Sequence, residues 1–127
     1  MRDLSSNIGV VQVVAPAVLS ATNTSDPVDL LGLNGAAIVV NTGAIVSSGD
    51  FTPKVQHSDT TTSGDFADVA AADLVGTFPA SLEANSVAKV SYIGTKRYLR
   101  TVLTKNGGTS IAGGVVMVSN PLDKPAA

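Results

Sequence analysis

The fold of this chain is decided by one stretch, Val90-Ser91-Tyr92-Ile93-Gly94-Thr95-Lys96-Arg97-Tyr98-Leu99-Arg100-Thr101-Val102-Leu103-Thr104. Apolar and polar residues are interleaved from Lys96 to Leu103, which favours a β-strand with one buried face. The pair Gly94-Thr95 interrupts this pattern and favours a tight turn. The stretch therefore predicts two strands, over 87–93 and 97–103, that pair as a hairpin.

The rest of the chain also consists of short apolar runs separated by turn-forming residues. Apolar or alternating runs lie at 8–14, 36–40, 54–58 and 111–118, and Asp, Asn, Gly or Pro follows each of them closely. The segment with the best helical propensity, 70–74, is only about one turn long. We therefore predict an all-β fold, a β-sandwich or jelly roll of about eight short strands with little helix.

The length of 127 residues and the absence of an internal linker predict a single domain over 1–127. Extended arms are expected at 1–7 and 121–127. The apolar segment 8–19 is interpreted as a first strand and not as a signal peptide, because Gln12 and Pro16 interrupt it and its valines favour β structure. No apolar run approaches the roughly 20 residues of a membrane-spanning helix, so a membrane is not an expected partner.

The charge content is low for a chain of this size. Asp, Glu, Lys and Arg make up 14% of the residues, against about 25% in typical soluble domains. Such a chain presents much neutral or apolar surface, which favours burial of part of that surface in an assembly. The formal net charge is −2, and nucleic acid is not an expected partner because phosphate binding requires clustered Lys and Arg.

The sequence contains weak candidates for catalysis and ion binding. His57 and Asp59 are two residues apart, so both could lie on one strand face, and a hydrolase built around them is the least favoured hypothesis. Asp59, Asp65 and Asp68 surround a Thr-rich loop that lacks EF-hand spacing, and whether this loop binds an ion stays open. The chain has no cysteine, which removes thiolate ligands and nucleophiles. We predict no catalytic residue, no cofactor and no enzyme activity.

The densest cluster of basic and aromatic residues is Arg97, Tyr98 and Arg100. Arg and Tyr are favoured anchors at protein interfaces, so these three residues are predicted to form an interface strip. The alternative is a solvated strand edge, whose ion pairs contribute little.

Several motifs together resemble small auxiliary proteins of tailed bacteriophages that are encoded near the major capsid protein. The resemblance covers about half of the chain and is carried by Val55-Gln56-His57-Ser58-Asp59, Phe66-Ala67-Asp68-Val69, Gly76, Tyr92-Ile93-Gly94-Thr95-Lys96-Arg97-Tyr98-Leu99-Arg100, Gly114-Val115-Val116-Met117-Val118 and Pro121. Members of this kind are capsid cement or decoration proteins.

The resemblance implies a virion structural protein that is made in the host bacterial cytoplasm and sits on the outer capsid surface. It would form a homo-oligomer, a trimer by the resemblance, that binds the major capsid protein and bridges neighbouring capsomers. The alternative function is a head-fibre or tail adhesin domain that binds host surface carbohydrate. Sugar sites usually need aromatic platforms, and aromatic residues are only 4% of this chain.

Overall fold

Ten β-strands form two antiparallel sheets that pack together in the computed structural model, which describes residues 3–121. The strands are β1 (Gly9–Leu19), β2 (Asn23–Thr24), β3 (Val28–Asp29), β4 (Leu33–Val46), β5 (Asp50–Ser58), β6 (Ala67–Asp68), β7 (Leu74–Val75), β8 (Val87–Tyr92), β9 (Tyr98–Gly107) and β10 (Ser110–Pro121). Within the described range the helices are two 3₁₀ turns, Ser63–Asp65 and Ala71–Asp73. The predicted all-β sandwich with little helix is confirmed.

The strand order explains which strands are central and which lie at the edges. Sheet A has the order β1-β10-β4-β8-β7, and sheet B has the order β2-β9-β5-β6, with β3 also paired to β9. Three of the four sheet edges are therefore made of two-residue strands. The fourth edge is the eleven-residue strand β1, which carries Pro16 and two register shifts against β10. Proline and bulges are tolerated at such an edge, because the missing donor and the extra residues disturb only one neighbour.

The core lies between the two sheets and is built from the inward side chains of both. Alternate residues along most of β4 and β5 are buried, as a strand with one face on the core requires. The largest fully buried side chains are Phe51, Ile38, Leu99, Leu103, Ile111, Met117, Val40, Val90 and Val115. Each of these contributes roughly 1.5–3 kcal/mol relative to an exposed side chain, which is what holds the sheets together.

The predicted hairpin over 87–93 and 97–103 is wrong. β8 pairs with β4 and β7 in sheet A, whereas β9 pairs with β5, β2 and β3 in sheet B. The connection over 93–97 thus crosses from one sheet to the other. The pattern of apolar and polar residues indicated correctly that both segments form strands. It did not specify the partner strand, because a strand of a hairpin and a strand of the opposite sheet bury the same alternate positions.

The turns at one end of the sandwich also cross between the sheets and lie against each other. One turn connects β4 to β5 and has Ser47 and Ser48 at positive φ, and the other connects β9 to β10 and has Gly108 at φ 73°. A Cβ atom on Gly108 would overlap the backbone carbonyl of Ser48. Glycine is therefore required at position 108 both by the backbone conformation and by the close approach of the two turns.

Two segments differ from the sequence-based expectation. The turn-forming residues Asn41-Thr42-Gly43 follow the apolar run 36–40 and predict its end, but they lie inside β4. The buried Thr42 hydroxyl holds them there by two bonds to the segment before β8. It donates to the Glu83 carbonyl at 2.5 Å and accepts from the Ser86 amide at 3.0 Å. In the predicted N-terminal arm 1–7, residues 3–7 form a turn around the Asp3 carboxylate and not an extended segment. Residues 1 and 2, and residues 122–127 of the predicted arm 121–127, lie outside the described residues.

Candidate interaction surfaces

The side of sheet A that faces away from the core is almost free of charge, and we call it the outer face. The register places there the side chains that alternate with buried ones, and its apolar members are Val10, Val18, Ala37, Val39, Val75, Val87, Ala112, Val116 and Val118. Gln12, Asn41 and Ser91 add polar groups, and Lys89 carries the only charge among the strand residues placed on this face. The side chains at both margins are open to solvent, with Val18 on β1 68% and Val87 on β8 66% exposed.

The corresponding side of sheet B is polar, in contrast to the outer face. Cross-strand pairs such as Thr52 with Thr104 and Gln56 with Arg100 alternate there with the buried positions. The Gln56 amide donates to Asp68 at 2.9 Å, and the Lys54 ammonium lies 3.3 Å from the same carboxylate. The pKa of Asp68 is lowered, mainly by the bond from Gln56. The two sides of the sandwich therefore differ sharply: sheet B has a hydrogen-bonded polar surface, and sheet A has an apolar one.

The predicted interface strip of Arg97, Tyr98 and Arg100 lies at sheet B, along and just before β9. Arg97 places its guanidinium 5.1 Å from the Tyr98 ring centroid. The Arg100 guanidinium lies 4.3 Å from the Phe66 ring centroid and donates to the Gln56 side chain at 2.8 Å. All three residues thus have partners within their own chain, and their role at an interface stays a prediction.

Arg97 also has a positioning function that the sequence did not reveal. Its guanidinium donates two bonds of 2.9 Å to the Asp29 carboxylate, and this Arg97 side chain lowers the pKa of Asp29 to about 2. Asp29 in turn accepts from the Leu31 amide at 2.9 Å, and the Leu30 amide donates to the Arg97 carbonyl at 2.8 Å. Both side-chain and backbone hydrogen bonds therefore hold the connection that follows β3 in place.

Tyr92 closes the connection between β8 and β9. Its ring is 6% exposed, and its hydroxyl lies 2.8 Å from His57 Nδ1 while accepting from the Lys96 amide at 3.0 Å. We assign the hydroxyl proton to the bond with Nδ1, since the hydroxyl oxygen already accepts from the Lys96 amide and its proton then has Nδ1 as acceptor. Burial raises the pKa of Tyr92. The Tyr92 hydroxyl thus joins sheet A, sheet B and the crossing segment in one small network.

His57 and Asp59, the residues of the hydrolase hypothesis, line one cleft of about 290 Å³ but do not bond to each other. His57 bonds to Tyr92, and Asp59 accepts from the Lys96 ammonium at 2.8 Å, which raises the pKa of Lys96. A general base needs an orienting carboxylate or an adjacent nucleophile. In this cleft the Asp59 carboxylate bonds to Lys96 and the His57 imidazole bonds to Tyr92, so Asp59 does not orient His57.

The acidic residues around the Thr-rich loop also have separate partners. Asp65 accepts from the Thr60 hydroxyl at 2.7 Å, while Asp59 and Asp68 bond to the lysine and glutamine side chains named above. Within residues 3–121 there is no group of three or more His, Asp or Glu side chains close enough to hold one metal ion. Each carboxylate therefore serves local structure in this loop.

Two apolar depressions lie on sheet A, one at each end. The first, which we call the groove, has about 800 Å³ and is lined by residues of 30–37 and 91–97 with Ile8 and Val118. The second, which we call the trough, has about 610 Å³ and lies between Val18 and Val87, with Gly43 and Ala112 among its lining residues. Both volumes fall in the range of natural binding pockets.

Comparison with known proteins adds no further assignment. No protein-family model, curated protein or solved structure matches this chain. None of the helices within 3–121 has the length and apolar character needed to cross a membrane.

Proposed function

We propose that this chain is a virion structural protein, a capsid cement or decoration protein that binds the outer capsid surface and bridges neighbouring capsomers. The observation that carries the proposal is the outer face of sheet A, on which the described strands place one charge and nine apolar side chains. Soluble monomers rarely present such a surface without covering it. The sequence resemblance to phage auxiliary head proteins supplies the kind of partner, which is the major capsid protein.

The proposed mechanism is binding alone. A capsid under internal DNA pressure fails first at its weakest contacts, and a protein that spans two capsomers adds buried area to those contacts. Apolar burial contributes roughly 25 cal/mol per Å², less the cost of ordering both partners. A homo-oligomer, for which the resemblance implies a trimer, would engage several capsomers at once and so gain effective affinity. The protein would be made in the host cytoplasm and act on the assembled particle.

The distribution of aromatic side chains favours this proposal over a carbohydrate-binding adhesin. Phe51 and Tyr92 are buried in the core, and Phe78 packs against it. The Tyr98 and Phe66 rings are covered by the guanidinium groups of Arg97 and Arg100. These five are all the aromatic residues of the chain. A sugar platform would need a free aromatic face, and each ring has another contact.

The test measures DNA release from particles during heating or osmotic shock. Particles assembled without this protein are titrated with the purified chain, and release is followed with a fluorescent DNA dye. A ligand that binds only the assembled shell stabilises it by mass action, so the release temperature should rise with dose and level off at full occupancy. Identical release curves for bare and fully decorated particles would overturn the cement function. Intact particles that fail to adsorb to the host without the protein would support the adhesin instead.

The interface strip supplies a second measurement on the same particles. If Arg97 and Arg100 contact the capsid protein, Arg97→Ala or Arg100→Ala should weaken binding by more than about tenfold, because loss of a buried, paired interface arginine costs about 2 kcal/mol or more. Thr104→Lys, at another position of the same sheet surface, is the matched control. Unchanged binding of both alanine variants would mean that the strip serves only the fold.

A further inference from the structure

The trough at one end of sheet A is built to receive an apolar side chain. Its walls are Val18 on β1 and Val87 on β8, which are 68% and 66% exposed. Between them lie Gly43 and Ala112, whose Cβ positions would be 3.4 Å apart if Gly43 carried a side chain. Small residues at the bottom and valines at the sides leave a depression, and none of the described residues that line it is charged.

The opposite end of sheet A carries two exposed apolar side chains in the connections before β4 and after β8. Leu31 is 71% exposed and Ile93 is 57% exposed, and both stand at the groove. We call this pair the knob. The Leu31 amide bonds to Asp29, which Arg97 holds by two hydrogen bonds, and the Ile93 amide donates to the Asp73 carbonyl at 2.8 Å. The knob is thus preorganised, which lowers the ordering cost of docking.

The charges beside the knob are already paired within the chain. Arg97 pairs with Asp29 at 2.9 Å, and Lys96 pairs with Asp59 at 2.8 Å. Docking of Leu31 and Ile93 into an uncharged depression would therefore bring no unpaired charge along. An unpaired charge in such a site would oppose binding strongly. The knob and the trough are matched in both polarity and charge.

A single chain cannot bring its own knob and trough together. β8 begins at the trough wall Val87 and ends at Tyr92, next to Ile93 of the knob, so six residues of extended strand separate the two by roughly 20 Å. We infer that the knob of one copy docks into the trough of a second copy. Such a contact joins two different patches of the same chain. It is head-to-tail, and it forms a ring when the rotation between copies closes.

This inference rests on the proposed function, because it takes the apolar side of sheet A as an assembly surface, and it names the occupant of one part of that surface. The knob–trough contact alone buries little area, but the outer face flanks it. Five strands at about 4.8 Å spacing make a sheet roughly 24 Å wide, close to the side of a standard patch of about 800 Å². The adjoining valines can therefore complete a contact of ordinary size.

The test uses the purified chain in solution, without capsids. Leu31→Lys removes the knob and Val87→Lys fills the trough, with Thr104→Lys on sheet B as the matched control. Light scattering and sedimentation velocity give the mass of each variant. We expect a wild-type oligomer, an unchanged control, and at least about tenfold weaker association in each of the two single variants, because a lysine cannot be buried unpaired. Circular dichroism verifies the fold, and Ile93→Lys and Val18→Lys replace any variant that unfolds.

Mixing the two single variants gives the decisive result. The Leu31→Lys chain keeps its trough and the Val87→Lys chain keeps its knob, so an equimolar mixture should form a one-to-one dimer and nothing larger. A symmetric contact between identical patches would not be rescued in this way. A wild-type chain that stays monomeric at millimolar concentration, single variants with the wild-type mass, or a mixture that stays monomeric would each overturn the inference.

The outcome is separable from that of the cement function. If the chain is monomeric in solution but still raises the release temperature of particles, the knob–trough contact is refuted and the proposed function stands. If the mixing experiment succeeds and the particles gain no stability, the contact stands and the proposed function falls.

Discussion

Replacement of Tyr92 by Phe should destabilise the protein by about 2 kcal/mol although it removes a single oxygen atom. The ring is 6% exposed and can stay in place, so no cavity forms. What is lost is the hydroxyl that lies 2.8 Å from His57 Nδ1 and accepts from the Lys96 amide at 3.0 Å. Each such bond contributes about 1 kcal/mol net, and the Lys96 amide then lacks its partner. For a chain of this size, 2 kcal/mol corresponds to a melting temperature about 7 °C lower.

Urea unfolding followed by circular dichroism measures this difference, with Tyr98→Phe as the matched control. The Tyr98 hydroxyl bonds to no described residue, so its removal should change the free energy of unfolding by less than about 0.5 kcal/mol. A double-mutant cycle with His57→Leu should give a coupling of about 1 kcal/mol, since the two side chains share one hydrogen bond. If the free energy of unfolding of Tyr92→Phe lies within 0.5 kcal/mol of the wild-type value, or if the two phenylalanine variants lose equal stability, the network does not join the sheets.

Three further effects follow from contacts at the surface, at a turn and in the core. The pKa of Asp29 is about 2 in the folded protein against 3.8 ordinarily, so its ion pair with Arg97 stabilises the fold above pH 4, and this stabilisation is lost as the pH falls from 4 towards 2. Because the pair is exposed, it contributes about 0.5 kcal/mol to the free energy of unfolding. If acid unfolding of the wild type and of Asp29→Asn followed the same curve, this prediction would be wrong. Gly108→Ala should lower the free energy of unfolding by about 2 kcal/mol or more, because residue 108 has a positive φ and its new Cβ would overlap the Ser48 carbonyl. A variant with the wild-type melting temperature would show that the two turns are not in contact. Ile111→Ala should lower the free energy of unfolding, measured with urea, by about 3 kcal/mol, since the Ile111 side chain is fully buried. A loss below 1 kcal/mol would place this side chain outside the core.

The sequence allowed the fold class to be predicted but not the pairing of its strands. The interleaved apolar and polar residues of 97–103 indicated a strand with one buried face, and its side chains Leu99 and Leu103 lie in the core. Pairing depends on contacts between residues that are distant in the chain, such as His57 with Leu99, and a local pattern contains no information on them. The two-residue strands were missed for the same reason. Their few residues have no recognisable period, and only the neighbouring strand makes them β structure.

The interaction surfaces were predictable only in their chemistry. The low charge content indicated a neutral surface, but the sequence does not show that Val10, Val39 and Val87 share one face, because this follows from three separate registers. Arg97 was singled out as an interface anchor from its residue type. Its two bonds to Asp29 could not be anticipated, since the partners are 68 residues apart and meet only through the strand order.

The place of β10 in sheet A has a consequence for how the chain is made. Sheet A has the order β1-β10-β4, so the strand that is synthesised last inserts between two that are synthesised early, and Gly9 finds its partner at Ser119. At about 5–20 residues per second, β1 is extruded from the ribosome roughly ten seconds before its partner exists. During this interval its valine-rich edge is unpaired and exposed to other nascent chains. Rapid expression at high temperature should therefore divert the chain into aggregates, whereas slow expression in the cold, or a holdase that covers β1, should raise the yield of folded protein.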